Sequence, residues 1–163
     1  MIEAYLSCLE LAYFEVGEAF KGLADENVWK RPAEGLLSVG ELSGHCAYWE
    51  AVRMAGGGED LSKCKVQSPL IDARFRYYST TLETPPSPEH LAMSADEVLR
   101  ELKRVHEESV AHFRASNRDL DGPAPSWGGS FREYLKYAVF HVSYHTGQMY
   151  SARHLLGEET PDN

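Results

Sequence analysis

Ser94-Ala95-Asp96-Glu97 reads Ser-x-x-Glu, and so do Ser38-Val39-Gly40-Glu41 and Ser130-Phe131-Arg132-Glu133. In each, the serine hydroxyl can accept from the free N–H three residues on, and the glutamate can reach back to the serine N–H. Each pattern precedes apolar residues at three- and four-residue steps, so the three mark three helix starts. The stops agree. Gly56-Gly57-Gly58 ends the helix begun at Ser38, and Asn117 with Gly122-Pro123 ends the one begun at Ser94. Gly157 ends the helix begun at Ser130, where Arg153 and His154 suit the C-terminal dipole. A fourth helix comes first: Ile2, Tyr5, Leu6, Leu9, Tyr13, Val16 and Phe20 share one face, and Gly22 closes it. The expected helices are 2–21, 39–55, 95–116 and 131–156. No strand pattern competes, so the reading is all-α, a four-helix bundle forming one domain over 1–163.

The connection between the second and third of these helices, residues 57–93, is long. Ordinary helix–helix loops run about 2–8 residues. It holds Pro69, Pro85, Pro86 and Pro88 and the aromatic cluster Phe75, Tyr77, Tyr78. Either it carries a short element or walls off a site, with Leu70–Tyr78 as one or two helical turns, or it is a plain crossover between helices that are not antiparallel neighbours.

Composition bounds the function. With 43% hydrophobic and 25% charged residues in 163, the chain can build a core, which excludes wholesale disorder. Sixteen basic against 25 acidic residues give a net charge of −9, which argues against a nucleic-acid partner. No apolar run approaches the ~20 residues of a membrane span. The start, Met1-Ile2-Glu3-Ala4-Tyr5, has no basic export region. Three cysteines, Cys8, Cys46 and Cys64, lack zinc-type pair spacing, so a cytoplasmic, reducing setting is expected.

The histidines carry the chemistry. The inward stripe of the last helix runs Tyr134, Ala138, His141, His145, Gln148, Ala152, Leu155, and that of the second runs Leu42, His45, Trp49, Val52. A buried polar group without a partner costs roughly 1–3 kcal/mol, so three inward imidazoles need an explanation. His141 and His145 are spaced i,i+4, which lets their rings converge on one point. With His45 they make a three-ligand set of the zinc type, which leaves one position open. Imidazole also suits nickel, cobalt, iron and copper; zinc or nickel is expected. The stretch His141-Val142-Ser143-Tyr144-His145 is not His-Glu-x-x-His, so the glutamate base of zincin proteases is absent. Any base must come from elsewhere.

Trp49 and Gln148 lie about one turn from ligand positions. They line a cavity above the metal, or they are core packing and a hydrogen bond behind a ligand. Tyr48 and Tyr144 follow ligand positions by three residues and could donate a proton nearby. Cys46 reads as a small buried hydrophobe rather than a nucleophile. His106 and His112 read as solvated or rim residues. His90, in a loop, and His154, near a helix end, do not read as ligands.

The stretches Ser38–Glu50, which contains Leu42-Ser43-Gly44-His45, and His141–Met149, which contains His145-Thr146-Gly147-Gln148, resemble the second- and fourth-helix signatures of the DinB/YfiT-like superfamily. Trp29-Lys30-Arg31-Pro32 resembles its approach to helix two. The resemblance implies an up-down-down-up four-helix bundle with a divalent metal on His45, His141 and His145. Members include transferases and isomerases that use a low-molecular-weight thiol, mycothiol or bacillithiol, and proposed metal-dependent hydrolases; dimers are common among them. The expectation is therefore a metal-dependent enzyme acting on a small-molecule substrate, by thiol transfer or hydrolysis. The alternative is a non-catalytic metal-binding bundle or small-ligand sensor. Tyr5, Tyr13 and Phe14 of the first helix, with the aromatics of 57–93, exceed what one small core takes, so a homodimer is expected.

Overall fold

The computed structural model describes residues 2–56 and 58–161. Among them the chain is helical, with an isolated β-bridge between Pro123 and Ser130. The elements are α1 (Ile2–Phe20), α2 (Asp25–Val28), α3 (Val39–Met54), α4 (Tyr78–Glu83), α5 (Pro88–Leu91), α6 (Ala95–Ala115) and α7 (Phe131–Leu155). Two short 3-10 turns, Leu61–Lys63 and Ala73–Phe75, precede α4.

All three Ser-x-x-Glu boxes form. Ser38, Ser94 and Ser130 each accept from the backbone of the glutamate three residues on, and each glutamate accepts from the serine N–H. Such caps stabilise by about 0.5–2 kcal/mol each. The first is also tied into the tertiary structure. Glu41 is fully buried, and Arg31 grips its carboxylate while donating to the carbonyls of Thr81 and Leu82. Arg31, in the segment before α3, thereby fastens α4 to the start of that helix. At the ends, Gly22, Gly56 and Gly157 take positive φ. Gly57, in the expected stop of α3, lies outside the described residues.

The four long helices pack principally as a closed ring of neighbours: α1 on α7 and α6, and α3 on α6 and α7. One core fills the space between them, with Leu6, Leu9, Leu42, Met54, Leu102, Leu135 and Met149 among its fully buried members. Burying a side chain of that size stabilises by roughly 1.5–3 kcal/mol. Tyr48, Trp49, Val52 and Phe75 form a smaller cluster where the 61–91 connection lies on α3.

That connection is no plain crossover: it carries the two turns, α4 and α5. The Leu70–Tyr78 stretch contains one 3-10 turn and the first residue of α4. Phe75 is fully buried and lies so close to α3 that a side chain on Gly44 would collide with its ring. Gly44 is what lets this segment reach α3 one residue before His45.

His90 lies in α5, and in a role its loop-like sequence context concealed. It is buried; its Nδ1 accepts from Ser87 N (3.1 Å) and its Nε2–H donates to Pro69 O (2.7 Å). The imidazole thus supplies the acceptor that glutamate supplies in the other capping boxes, making a fourth, and latches the connection to Pro69. Leu155, expected to point inward, is 61% exposed. The last turn of α7 turns Ala152 and Arg153 inward instead.

Candidate metal centre

Two helices deliver the three histidines. His141 and His145 project from α7, one turn apart, and both are buried; His45 comes from α3 and is half-buried. Fifteen of the sixteen residues of α3 are buried and His45 is the exception. The helix is enclosed almost all round, and His45 marks its open side. His141 Nε2 lies 3.1 Å from His45 Nε2 and 3.2 Å from His145 Nε2. Two nitrogens at zinc–nitrogen bond length on a tetrahedral ion would be about 3.3 Å apart.

The outer contacts fix the tautomers. His45 Nδ1 is 2.8 Å from Phe75 O, a pure acceptor, so it carries the proton. His145 Nδ1 is 2.6 Å from Gln148 Oε1, while Gln148 Nε2 faces Tyr144 Oη at 3.4 Å. Both rings therefore turn an unprotonated Nε2 towards His141. A proton on His141 Nε2 could satisfy one of those two lone pairs and not the other. Three nitrogens at this spacing fit a cation between them, with the rings oriented from behind as metal-bound histidines usually are.

Electrostatics agree with neutral rings. Burial pushes His45 down to about 4, helped by the neighbouring His145 and by Arg53, while the bond to Phe75 O opposes. Burial pushes His141 down to about 2, reinforced by His145, His45 and Arg53. His145 is also lowered by burial, against the pull of Gln148. Neutral imidazole is the form that ligates.

Trp49 and Gln148 take different places. Gln148 supports His145 and also borders a surface pocket with Leu42, Tyr78 and Ser151. Trp49 lines a small cavity with His141, Cys46, Glu50, Arg53 and Tyr134, and donates its Nε1–H to Arg76 O at 2.6 Å. Cys46 is buried and its thiol is pushed well up by burial, which keeps it protonated. Tyr48 is buried in the small aromatic cluster, whereas Tyr144 is 53% exposed and packs edge-on to His145.

One expectation fails. His106 is not at a solvated rim; it is buried, with its Nδ1 2.6 Å from Glu50 Oε1 and its ring stacked on Tyr13 at 3.8 Å. Tyr13 donates to the other carboxylate oxygen at 2.8 Å. Glu50, an acid in the middle of the core, is what draws His106 inward, since a buried carboxylate needs partners. His112 is half-buried and His154 is exposed beside Thr160.

Three groups near the site were missed in the sequence. The Phe75 carbonyl is invisible there because any residue supplies a carbonyl. Glu50 and Arg53 left a faint signal, two charges among the apolar residues of the second half of α3. Arg53 is 7% exposed and its guanidinium lies over the rings of Trp49 (4.2 Å), Trp127 (5.0 Å) and Tyr134 (5.3 Å).

The arrangement defines a helical protein with a three-histidine group that could hold a metal ion. The DinB superfamily profile matches residues 9–149, most of the chain, and the protein belongs to that superfamily. Neither the curated proteins nor the solved structures contain a match to it. No helix among the described residues is long and apolar enough to cross a membrane.

Proposed function

We propose that the protein is a DinB/YfiT-type four-helix bundle that binds one divalent transition metal, zinc or nickel, on His45, His141 and His145 and uses it on a small-molecule substrate. The observation that carries this reading is the convergence of three Nε2 atoms, two of them held unprotonated by carbonyl oxygens behind the rings. A divalent ion on three neutral ligands keeps its full charge, so it lowers the pKa of water or of a thiol beside it.

The chain's own residues do the rest. Phe75 O and Gln148 Oε1 hold two rings in register, and the half-buried His45 marks the side from which substrate approaches. Tyr144, exposed and packed edge-on against His145, is the proton donor we assign to that opening. Thiol transfer is the favoured reaction and hydrolysis the second, on the resemblance to thiol-using members of the superfamily. A net charge of −9 supports a small molecule over a nucleic acid as partner.

Cobalt-substituted protein tests the reading. A low-molecular-weight thiol should produce a new sulfur-to-metal charge-transfer band. A spectrum that instead titrates near neutral pH and ignores thiols would favour hydrolysis. Neither response, with the metal bound, would leave a structural metal. We also infer a homodimer. Tyr13 and Phe75 are absorbed by the core, yet Leu11 and Phe14 of α1 stay 63% and 59% exposed. Sedimentation giving a clean 18.3 kDa species at micromolar concentration would refute it.

A further inference from the structure

Of the two buried arginines among the described residues, Arg153 and Arg53, the first has a carboxylate partner and the second has none. Arg153, 1% exposed, donates to Glu158 Oε2 (2.8 Å) and to the carbonyls of Ala19 (2.9 Å), Lys21 (2.8 Å) and Glu159 (2.8 Å). Arg31 holds Glu41 and two carbonyls. Arg74 and Arg76 are each paired with a carboxylate, Asp72 and Glu59. Arg53 is more than nine-tenths buried and has one long hydrogen bond, 3.5 Å to Ser126 O. Its Nε is buried without a hydrogen-bond partner, as are those of Arg74 and Arg76, but those two guanidinium groups are each ion-paired. Among the described residues no carboxylate forms an ion pair with it. Glu50, one turn earlier on α3, is already held by Tyr13 and His106.

A desolvated guanidinium of this kind needs a counter-charge, and aromatic faces return only part of the cost of burying it. The missing counter-charge does not come from the histidine centre, whose ligands are neutral. Arg53 and His141 line the same cavity. Its volume of about 10 Å³ admits one water-sized atom, so it takes a single carboxylate oxygen and not the whole group; Glu50 also lines it, with both its oxygens already held by Tyr13 and His106. The guanidinium fork matches carboxylate in geometry as well as charge.

We propose that Arg53 is the anchor for the carboxylate of an anionic substrate, one oxygen of which enters the cavity that the guanidinium shares with His141. The proposal rests on the metal-centre reading for its functional meaning, but the residue that recognises the anion is independent of the metal. The substrate class is then a small carboxylic acid, and a thiol cosubstrate that carries a carboxylate will be preferred to one that does not.

The test has two arms. Acetate is titrated into metal-free protein and followed by tryptophan emission, since Trp49 and Trp127 both face the guanidinium. Thioglycolate and 2-mercaptoethanol are titrated into zinc-loaded protein by calorimetry. Expected are a saturable acetate response that Arg53→Met abolishes, and a preference of about tenfold or more for thioglycolate that the same variant removes. An acetate response or a thioglycolate preference unchanged in Arg53→Met overturns the proposal. Should Arg53→Met fail to fold, as judged by circular dichroism, Arg53→Lys decides, because it keeps the charge and loses the fork: a weakened preference supports the anchor, an unchanged one refutes it. Zinc uptake by the wild-type protein in anion-free buffer is measured separately. Its absence would sink the metal reading and leave the acetate arm intact.

Discussion

Replacing His106 by Ala tests how the core tolerates Glu50. The two side chains are 8% and 3% exposed and 2.6 Å apart, so the substitution strands a buried carboxylate with Tyr13 as its remaining partner. Breaking a buried pair from one side costs about 3–5 kcal/mol. For a chain of this length each kcal/mol moves the melting temperature by about 2–4 °C, which gives a fall of about 6–20 °C. The loss should depend on pH. Burial pulls the His106 pKa down, but the Glu50 carboxylate and its hydrogen bond outweigh it, and the net shift is upward. A raised histidine contributes its full stabilisation below the unfolded value of about 6.5 and loses it as pH rises through the folded value. The gap between wild type and His106→Ala should therefore be widest near pH 6 and narrow towards pH 9. Glu50→Gln keeps an acceptor for Tyr13 and removes the charge, so it should flatten that pH dependence at a smaller loss of stability. Thermal melts of the three proteins across pH give the answer. A fall under about 2 °C at pH 6, or a gap that does not change with pH, would show that the pair is solvated and the reasoning wrong. Zinc affinity should be retained in His106→Ala, because His106 is not among the converging ligands.

Elemental analysis should find one zinc or nickel per chain, and His141→Ala or His145→Ala should weaken binding by about tenfold or more while helical circular dichroism persists, since four apolar faces hold the fold. Collapse of the helical signal would make the site structural. Gln148→Leu, which removes the acceptor behind His145, should cost about 10–100-fold in metal affinity with little change in melting temperature; full affinity would deny that support. Gly44→Ala should lower both stability and metal affinity, because the new methyl displaces Phe75 and with it the carbonyl that orients His45. Gly147→Ala, on α7 with open space around it, should instead stabilise by about 0.5–1 kcal/mol, and equal behaviour of the two variants in urea melts would refute the packing argument.

Much of this protein is legible in the sequence because the decisive interactions are local. A capping box spans three residues, and all three Ser-x-x-Glu patterns form as read. Helical periodicity also puts His141 and His145 on one face without any knowledge of what lies opposite. The tertiary structure decided whatever depends on residues far apart in the chain. His45 reads as one inward residue among others, yet it is the one residue of α3 that stays half-buried, because α6, α7 and the turn at Phe75 enclose the rest of that helix. The carbonyl that orients it comes from thirty residues away, supplied by a backbone group that carries no sequence signature. Glu50 and Arg53, three apart, have the spacing of a surface ion pair on a helix. Packing buries both and parts them: Glu50 is drawn to His106 and Tyr13, 56 and 37 residues distant, and Arg53 is left among aromatic rings. Periodicity reports which face a residue lies on. Only the other helices determine whether that face meets water, apolar side chains or a buried charge.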